Sequence, residues 1–161
     1  MAGSIRPDAR TVELTRDGGK TFEHLGIIPW GSSTEDEIAG PCAVILDEST
    51  VFLQGGGDGE SNNRTAYCES AFLDLSTTPP SWTAGPNITK CRHYHTCSLI
   101  RNDTNGHREV VIVGGWDQTE ITIQEVEIID LETLQVRSGK NSQVIDLSEI
   151  CLVNQIVFVA D

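Results

Sequence analysis

Apolar residues in this chain fall in short blocks separated by polar or glycine-rich turns, and the blocks recur in the same order. Cys42-Ala43-Val44-Ile45-Leu46 is followed by the turn Asp47-Glu48-Ser49-Thr50 and then by Val51 to Gln54, closed by Gly55-Gly56. A polar stretch, Asp58 to Thr65, precedes a third block from Glu69 to Ser76. The turn Thr77-Thr78-Pro79-Pro80 leads to Ser81 to Ala84, which carries Trp82. Runs this short, rich in valine, isoleucine and aromatics and bounded by turn residues, read as β-strands. No heptad and no long stretch of 3.6-residue periodicity interrupts them.

The pattern then repeats. Arg92-His93-Tyr94-His95 enters a strand around Cys97, and Arg101 to Arg108 forms a long polar turn. Val110 to Val113 is closed by Gly114-Gly115. Thr122 to Leu131 is the third strand, and Gln135-Val136-Arg137 is the outer one. The inner-strand cysteines Cys42 and Cys97 are 55 residues apart, and the strand aspartates Asp74 and Asp130 are 56 apart. A period of this length, built of four short strands, predicts one sheet repeated around an axis: an all-β, propeller-type segment.

Partial units flank the two complete ones. Thr11 to Thr15 and Thr21-Phe22-Glu23 match the last two strands, with Phe22 in the Trp82 position. Cys151-Leu152-Val153 and Ile156 to Val159 match the first two, with Cys151 lying 54 residues after Cys97. The expected divisions are 1–30 (partial blade), 31–90 (blade), 91–140 (blade) and 141–161 (partial blade). About three blades' worth cannot close a ring, which takes about four to eight blades, so the chain is expected to be an incomplete ring from a longer protein.

These features resemble the kelch family of β-propellers. The resemblance rests on Gly55-Gly56 and Gly114-Gly115 after apolar strands, Phe72-x-Asp74 and Ile129-Asp130 in third strands, Trp82 in a fourth, and Arg92-x-x-His95 at a blade entry. It covers nearly the whole chain. Two departures stand out: Trp116 follows the second glycine pair instead of lying in a fourth strand, and Glu149-Ile150 stands where an Arg-x-x-His entry is due. The resemblance implies a non-catalytic scaffold whose loops bind a protein or glycan partner, and therefore a chain that is not an enzyme and needs no cofactor. It also implies two alternatives, an intracellular substrate adaptor and a fragment of a galactose-oxidase-like copper enzyme.

A copper site of that kind would need tyrosines, histidines and a cysteine. The candidates are Tyr67 and Tyr94, with His24, His93, His95 and His107. In a strand, His93 and His95 share a face while Tyr94 takes the other. By the resemblance, His95 hydrogen-bonds within a blade junction and is not a metal ligand. Thr15 to Phe22 resembles the Asp-box of sialidase-type propellers, which is a structural turn closed by its aspartate. No matching arginine cluster accompanies it. Asp58 and Glu60 are read as a solvated turn in preference to a calcium site. Phosphate-binding loops, Gly-x-Ser-x-Gly elbows and Cys-x-x-Cys pairs do not occur.

Charge and cysteines narrow the setting. The formal net charge is −13, from 24 acidic and 11 basic residues, which disfavours nucleic acid and anionic lipid as partners. No apolar run reaches the ~18–20 residues of a membrane helix. The opening residues Met1 to Asp8 have no apolar core and do not read as a signal peptide. Three sequons begin at Asn63, Asn87 and Asn102, each in an expected turn or loop, and five cysteines accompany them. Both point to an extracellular or secreted protein, with a cytoplasmic one as the alternative.

Hairpin geometry identifies one disulfide. If the third and fourth strands turn near Thr77 to Pro80, facing residues sum to about 157, and Cys68 lies opposite residue 89, close to Cys91. A Cys68–Cys91 bridge is expected, with a Cα separation of about 4.4–6.8 Å. Cys42, Cys97 and Cys151 are expected to be small buried apolar residues. The loops Asp58 to Thr65 and Arg101 to Arg108 are the longest variable segments and the first candidates for partner contact.

Overall fold

The computed structural model describes residues 10–31, 38–58 and 65–139. The partial unit at 141–161, with Cys151, and the sequon asparagine Asn63 lie outside these residues. Every regular element described is a strand. One sheet has β3 (Cys42–Ile45), β4 (Thr50–Gln54), β7 (Ser70–Asp74) and β8 (Ser81–Ala84) side by side in that order. A second has β9 (Thr96–Arg101), β10 (Arg108–Val113), β11 (Glu127–Asp130) and β12 (Val136–Ser138). All neighbours are antiparallel. Ahead of them, β1 (Thr11–Leu14) pairs with β2 (Glu23–Ile27); between β4 and β7, β5 (Gly57–Asp58) pairs with β6 (Thr65–Ala66).

Side chains alternate across a strand, so the central strand β4 feeds two cores. Val51 and Leu53 face Val12, Leu25, Ile28, Trp30 and Leu73 on the β1–β2 side. Phe52 faces the other way, into Val110, Ile112, Ile129 and Ile88 on the β9–β12 side. Three sheets are thus packed face to face in chain order, each covering its neighbour's apolar surface. The first strands β3 and β9 are the described pair that approach across two sheets, while the outer strands splay. That is the wedge geometry of a partial β-propeller.

The two strand aspartates have one shared task. Asp74 accepts the N–H and hydroxyl of Ser76, and Asp130 accepts the N–H groups of Glu132 and Thr133, so each closes the turn after its third strand. Asp17 does the same between β1 and β2, accepting from Lys20 N–H, Thr21 N–H and the Thr21 hydroxyl. The Asp-box-like segment is a turn, as expected.

Four expectations are corrected. First, Cys42 and Cys97 are not free apolar residues: they form a disulfide joining β3 to β9, Cα–Cα 5.8 Å. Because first strands converge on the axis, equivalent cysteines in successive sheets come within bonding reach. In the chain-entropy account, closing a loop of 55 residues stabilises the fold by about 4 kcal/mol. Second, the β7–β8 register sums to 155, as in Leu73↔Trp82, two residues short of expectation. Asp74 caps the turn early and peels the chain out of the ladder. The Cys68–Cys91 bridge nevertheless forms, at a Cα separation of 4.0 Å, just under the expected range. The chain after Ala84 bends back, with Ile88 N–H donating to Cys68 carbonyl and Arg92 N–H to Tyr67 carbonyl. Third, Phe22 is exposed and precedes β2; the Asp17 turn runs to Thr21, so Leu25 is the residue delivered to the core. Fourth, the third strand of the second unit is shorter than Thr122 to Leu131. Thr122 bridges to Trp116 and β11 begins at Glu127.

Candidate functional site

Antiparallel order sorts the connections between two ends of the segment. At one end lie Gly40, the stretch after β4, the return from β8 to β9 (residues 85–95) and the connection from β10 to β11 (residues 114–126). At the other end lie the turns at 46–50, 75–80, 101–108 and 131–135. Of the two loops singled out from the sequence, 101–108 lies at the second end, while Asp58 and Thr65 lie at the first and residues 59–64 between them are outside the described residues.

The 85–95 return carries the Arg-x-x-His motif and is built around one fully buried ion pair. Arg92 donates to the Glu127 carboxylate at 2.6 Å, with the two side chains 0% and 1% exposed. It also donates to the carbonyls of Lys90, Gly114 and Glu125. Burial alone would raise the Glu127 carboxyl; the Thr89 hydroxyl and N–H, together with Arg92, outweigh it and hold the pKa below the ordinary value. Through the bonds to Gly114 and Glu125 carbonyls and to Glu127, Arg92 fixes the 85–95 and 114–126 segments to each other.

Both glycine pairs close on that return. A Cβ on Gly55 (φ 68°) would stand 2.7 Å from Arg92 carbonyl oxygen and from His95 Cε1. One on Gly115 (φ 85°) would stand 2.6 Å from His93 carbonyl oxygen. The Arg92–His95 strip thus runs between the glycines of two successive sheets, which is the physical reason for a glycine pair after each second strand. Gly56 donates its N–H to Arg92 carbonyl, while Gly114 (φ 71°) supplies the turn with open space around its Cα.

His93 and His95 are buried and Tyr94 is exposed, so the expected division of faces holds, although Tyr94 sits in a turn with φ 53° and not in a strand. His95 lies in the blade junction with the Gln54 backbone as its hydrogen-bonding neighbour. That bond favours the charged ring, but burial outweighs it. Desolvation, then Arg92 and His93, lower its pKa to about 3, so it is a neutral packing group at ordinary pH.

Beside this strip is an exposed aromatic pair. Tyr94 and Trp116 have ring centroids 5.9 Å apart at 67°, and His93 lies edge-on to both at 5.1 and 6.2 Å. Tyr94 is 55% exposed, Trp116 43% and nearby Ile121 64%. The backbone fixes all three: Tyr94 N–H donates to Gly40 carbonyl, His93 and Trp116 exchange two bonds, and Asp117 N–H donates to Ile121 carbonyl. Asp117 Oδ1 accepts from Thr119 N–H, its hydroxyl and Ile121 N–H, making a rigid hairpin tip. Sequence reasoning recorded Trp116 only as a misplaced tryptophan; its position directly after a positive-φ glycine pair was the available signal. Nothing in the sequence marks Glu127 as the partner of Arg92.

The remaining candidates are dispersed. Trp82 is partly buried and packs on the first core, with its indole near Gly26. Asn87 is exposed. Asn102 is partly buried and donates to Glu109 Oε1, which with Arg137 forms a cluster at the opposite end. At that end too, His107 Nδ1 lies 2.7 Å from Asp130 Oδ2. Their hydrogen bond raises the His107 pKa and lowers that of Asp130 to about 2. Asp58 is not a solvated turn residue; it is buried and accepts from the Tyr67 hydroxyl, and Glu60 lies outside the described residues. Among the described residues no three His, Cys, Asp or Glu side chains gather as a metal would require. Tyr67 and Tyr94 are separated by burial, and four of the cysteines are in bridges. These donors do not fit a copper centre.

The chain matches part of the solved structure of a fungal alcohol oxidase of the AA5 family, in complex with copper. The TM-score is 0.58 at 16% identity, covering 74% of this chain and 25% of that one. The structure of YjhT matches with a TM-score of 0.47 at 17% identity, covering 63% of this chain and 27% of that one. The chain spans about a quarter of the length of the solved structures it matches. No family model matches it, and no curated protein does. The expectation that the chain is not an enzyme is corrected: the oxidase whose structure it matches is a catalyst, and propeller strands set no limit on what chemistry the loops perform. At this identity the likeness shows the fold, a partial β-propeller.

Proposed function

We propose that this chain is part of a kelch-type propeller that binds a protein or glycan partner through the end carrying Tyr94 and Trp116. The observation that supports this reading is the exposure of two large aromatic side chains on a backbone fixed by a sealed Arg92–Glu127 pair. Exposed aromatic groups on a rigid support are the usual anchors of binding surfaces. The opposite end presents compact, self-paired charges instead. Two disulfides and the exposed sequon residue Asn87 favour an oxidising, extracellular setting.

The test is a screen of the labelled protein against peptide and glycan arrays, repeated with Tyr94→Ala/Trp116→Ala and with His107→Ala. Each variant is first shown to melt like the parent. Hits lost in the aromatic variant and retained in the His107 variant support the reading. Hits retained in the aromatic variant, or lost only in the His107 variant, refute it.

A further inference from the structure

The aromatic pair carries a more specific inference, which rests on the proposed binding end. From Val110 to Val136 the chain contains no lysine or arginine, yet it contains six carboxylates. Glu127 is neutralised by Arg92, and Asp130 and Glu132 lie at the opposite end beside His107 and Arg108. Asp117 and Glu125 lie in the same connection as Trp116. Of the cations in the adjoining return, Arg92 is sealed away and Lys90 is exposed.

The two rings, 5.9 Å apart at 67°, are in edge-to-face contact, and each keeps an exposed surface. A cation over an exposed ring face and within about 6 Å of its centroid is attracted by the ring's negative face. All three hydrogen bonds to Asp117 go to Oδ1, so the hairpin tip holds a carboxylate beside the rings without consuming both oxygens. The 114–126 connection holds three carboxylates and no lysine or arginine. The −13 formal charge of the chain adds long-range attraction for a cation. We propose that the occupant of this surface is a basic peptide segment, with one arginine or lysine head group seated over the exposed side of the Tyr94–Trp116 pair and neighbouring basic residues facing Asp117 and Glu125.

The probe is an acetylated, amidated peptide of alternating glycine and arginine, compared with the same peptide carrying neutral citrulline. Binding to the full chain is followed by the Trp116 indole N–H and Tyr94 amide signals in NMR, at low and at physiological salt. The expected result is saturable shifts at both positions with arginine, weaker binding at higher salt and little binding with citrulline. Trp116→Ala should weaken binding by about tenfold, and Trp116→Phe, which keeps a ring, by less. Equal binding of the citrulline peptide, shifts confined to other surfaces, or undiminished binding by a folded Trp116→Ala variant would overturn the inference. If a neutral peptide or glycan shifts these signals and the arginine peptide does not, the cationic assignment falls while the binding end stands.

Discussion

Replacing Arg92 by methionine removes a guanidinium from a fully buried site. Glu127 keeps its contacts with Thr89 and with Lys90 N–H, but it becomes a buried carboxylate without a counter-charge. The carbonyls of Lys90, Gly114 and Glu125 lose a donor at the same time. Breaking one side of a buried ion pair costs about 3–5 kcal/mol. The surviving donors to Glu127 place the expected loss near the middle, about 4 kcal/mol. The assay is urea unfolding followed by the fluorescence of Trp30, Trp82 and Trp116, with far-UV circular dichroism as a second probe of a two-state transition. Glu127→Gln should also destabilise, by leaving the cation unpaired. The double variant should lose at least about 1 kcal/mol less than the sum of the two, since the residues are in direct contact. A methionine variant within about 1 kcal/mol of the parent, or strictly additive losses, would refute the claim that this pair ties the 85–95 return to the 114–126 connection.

Further outcomes follow from the same geometry. Gly55→Ala and Gly115→Ala should each destabilise far more than Gly18→Ala, because their Cβ atoms would meet the backbone at 2.7 and 2.6 Å while Gly18 faces open space. Thermal melting should place Gly18→Ala within about 1 kcal/mol of the parent, the cost of a strained φ alone. Acidification should also weaken the fold through His95. Its pKa is lowered from 6.5 to about 3, so between those values the unfolded chain binds a proton that the native state refuses. Stability is then lost as pH falls, by about 2 kcal/mol between pH 7.5 and pH 5. His107 acts in the opposite sense, its raised pKa adding stability that fades as pH rises. Urea midpoints across pH should therefore show a shallower acid limb in His95→Gln than in the parent; identical limbs would contradict the burial of a neutral ring.

Much of the fold was legible because the repeat is written in features with local causes. Val51-Phe52-Leu53 reads as a strand with two apolar faces, and those faces enter two different cores. Asp74 and Asp130 close their own turns, so their spacing reports the period directly. The glycine pairs were recognisable, and their cause is the close approach of the 92–95 strip. What escaped depends on contacts between units. The Cys42–Cys97 bridge follows only once the first strands are known to converge, although the 55-residue spacing already carried that information. Arg92 finds Glu127 35 residues away, across a connection of no recognisable pattern. The candidate site was the least legible part, because exposure of Tyr94 and Trp116 is set by positive φ at Tyr94, Gly114 and Gly115, and backbone handedness leaves little trace in composition.

The face-to-face stacking of the two complete sheets is tested most directly by mapping disulfides in the unreduced protein by peptide mass spectrometry. Joining of the Cys42 peptide to the Cys97 peptide, and of Cys68 to Cys91, is the predicted result, since only neighbouring first strands bring Cys42 and Cys97 to 5.8 Å. Cys42 linked to Cys68 or to Cys91, or Cys42 and Cys97 both recovered as free thiols, would contradict it.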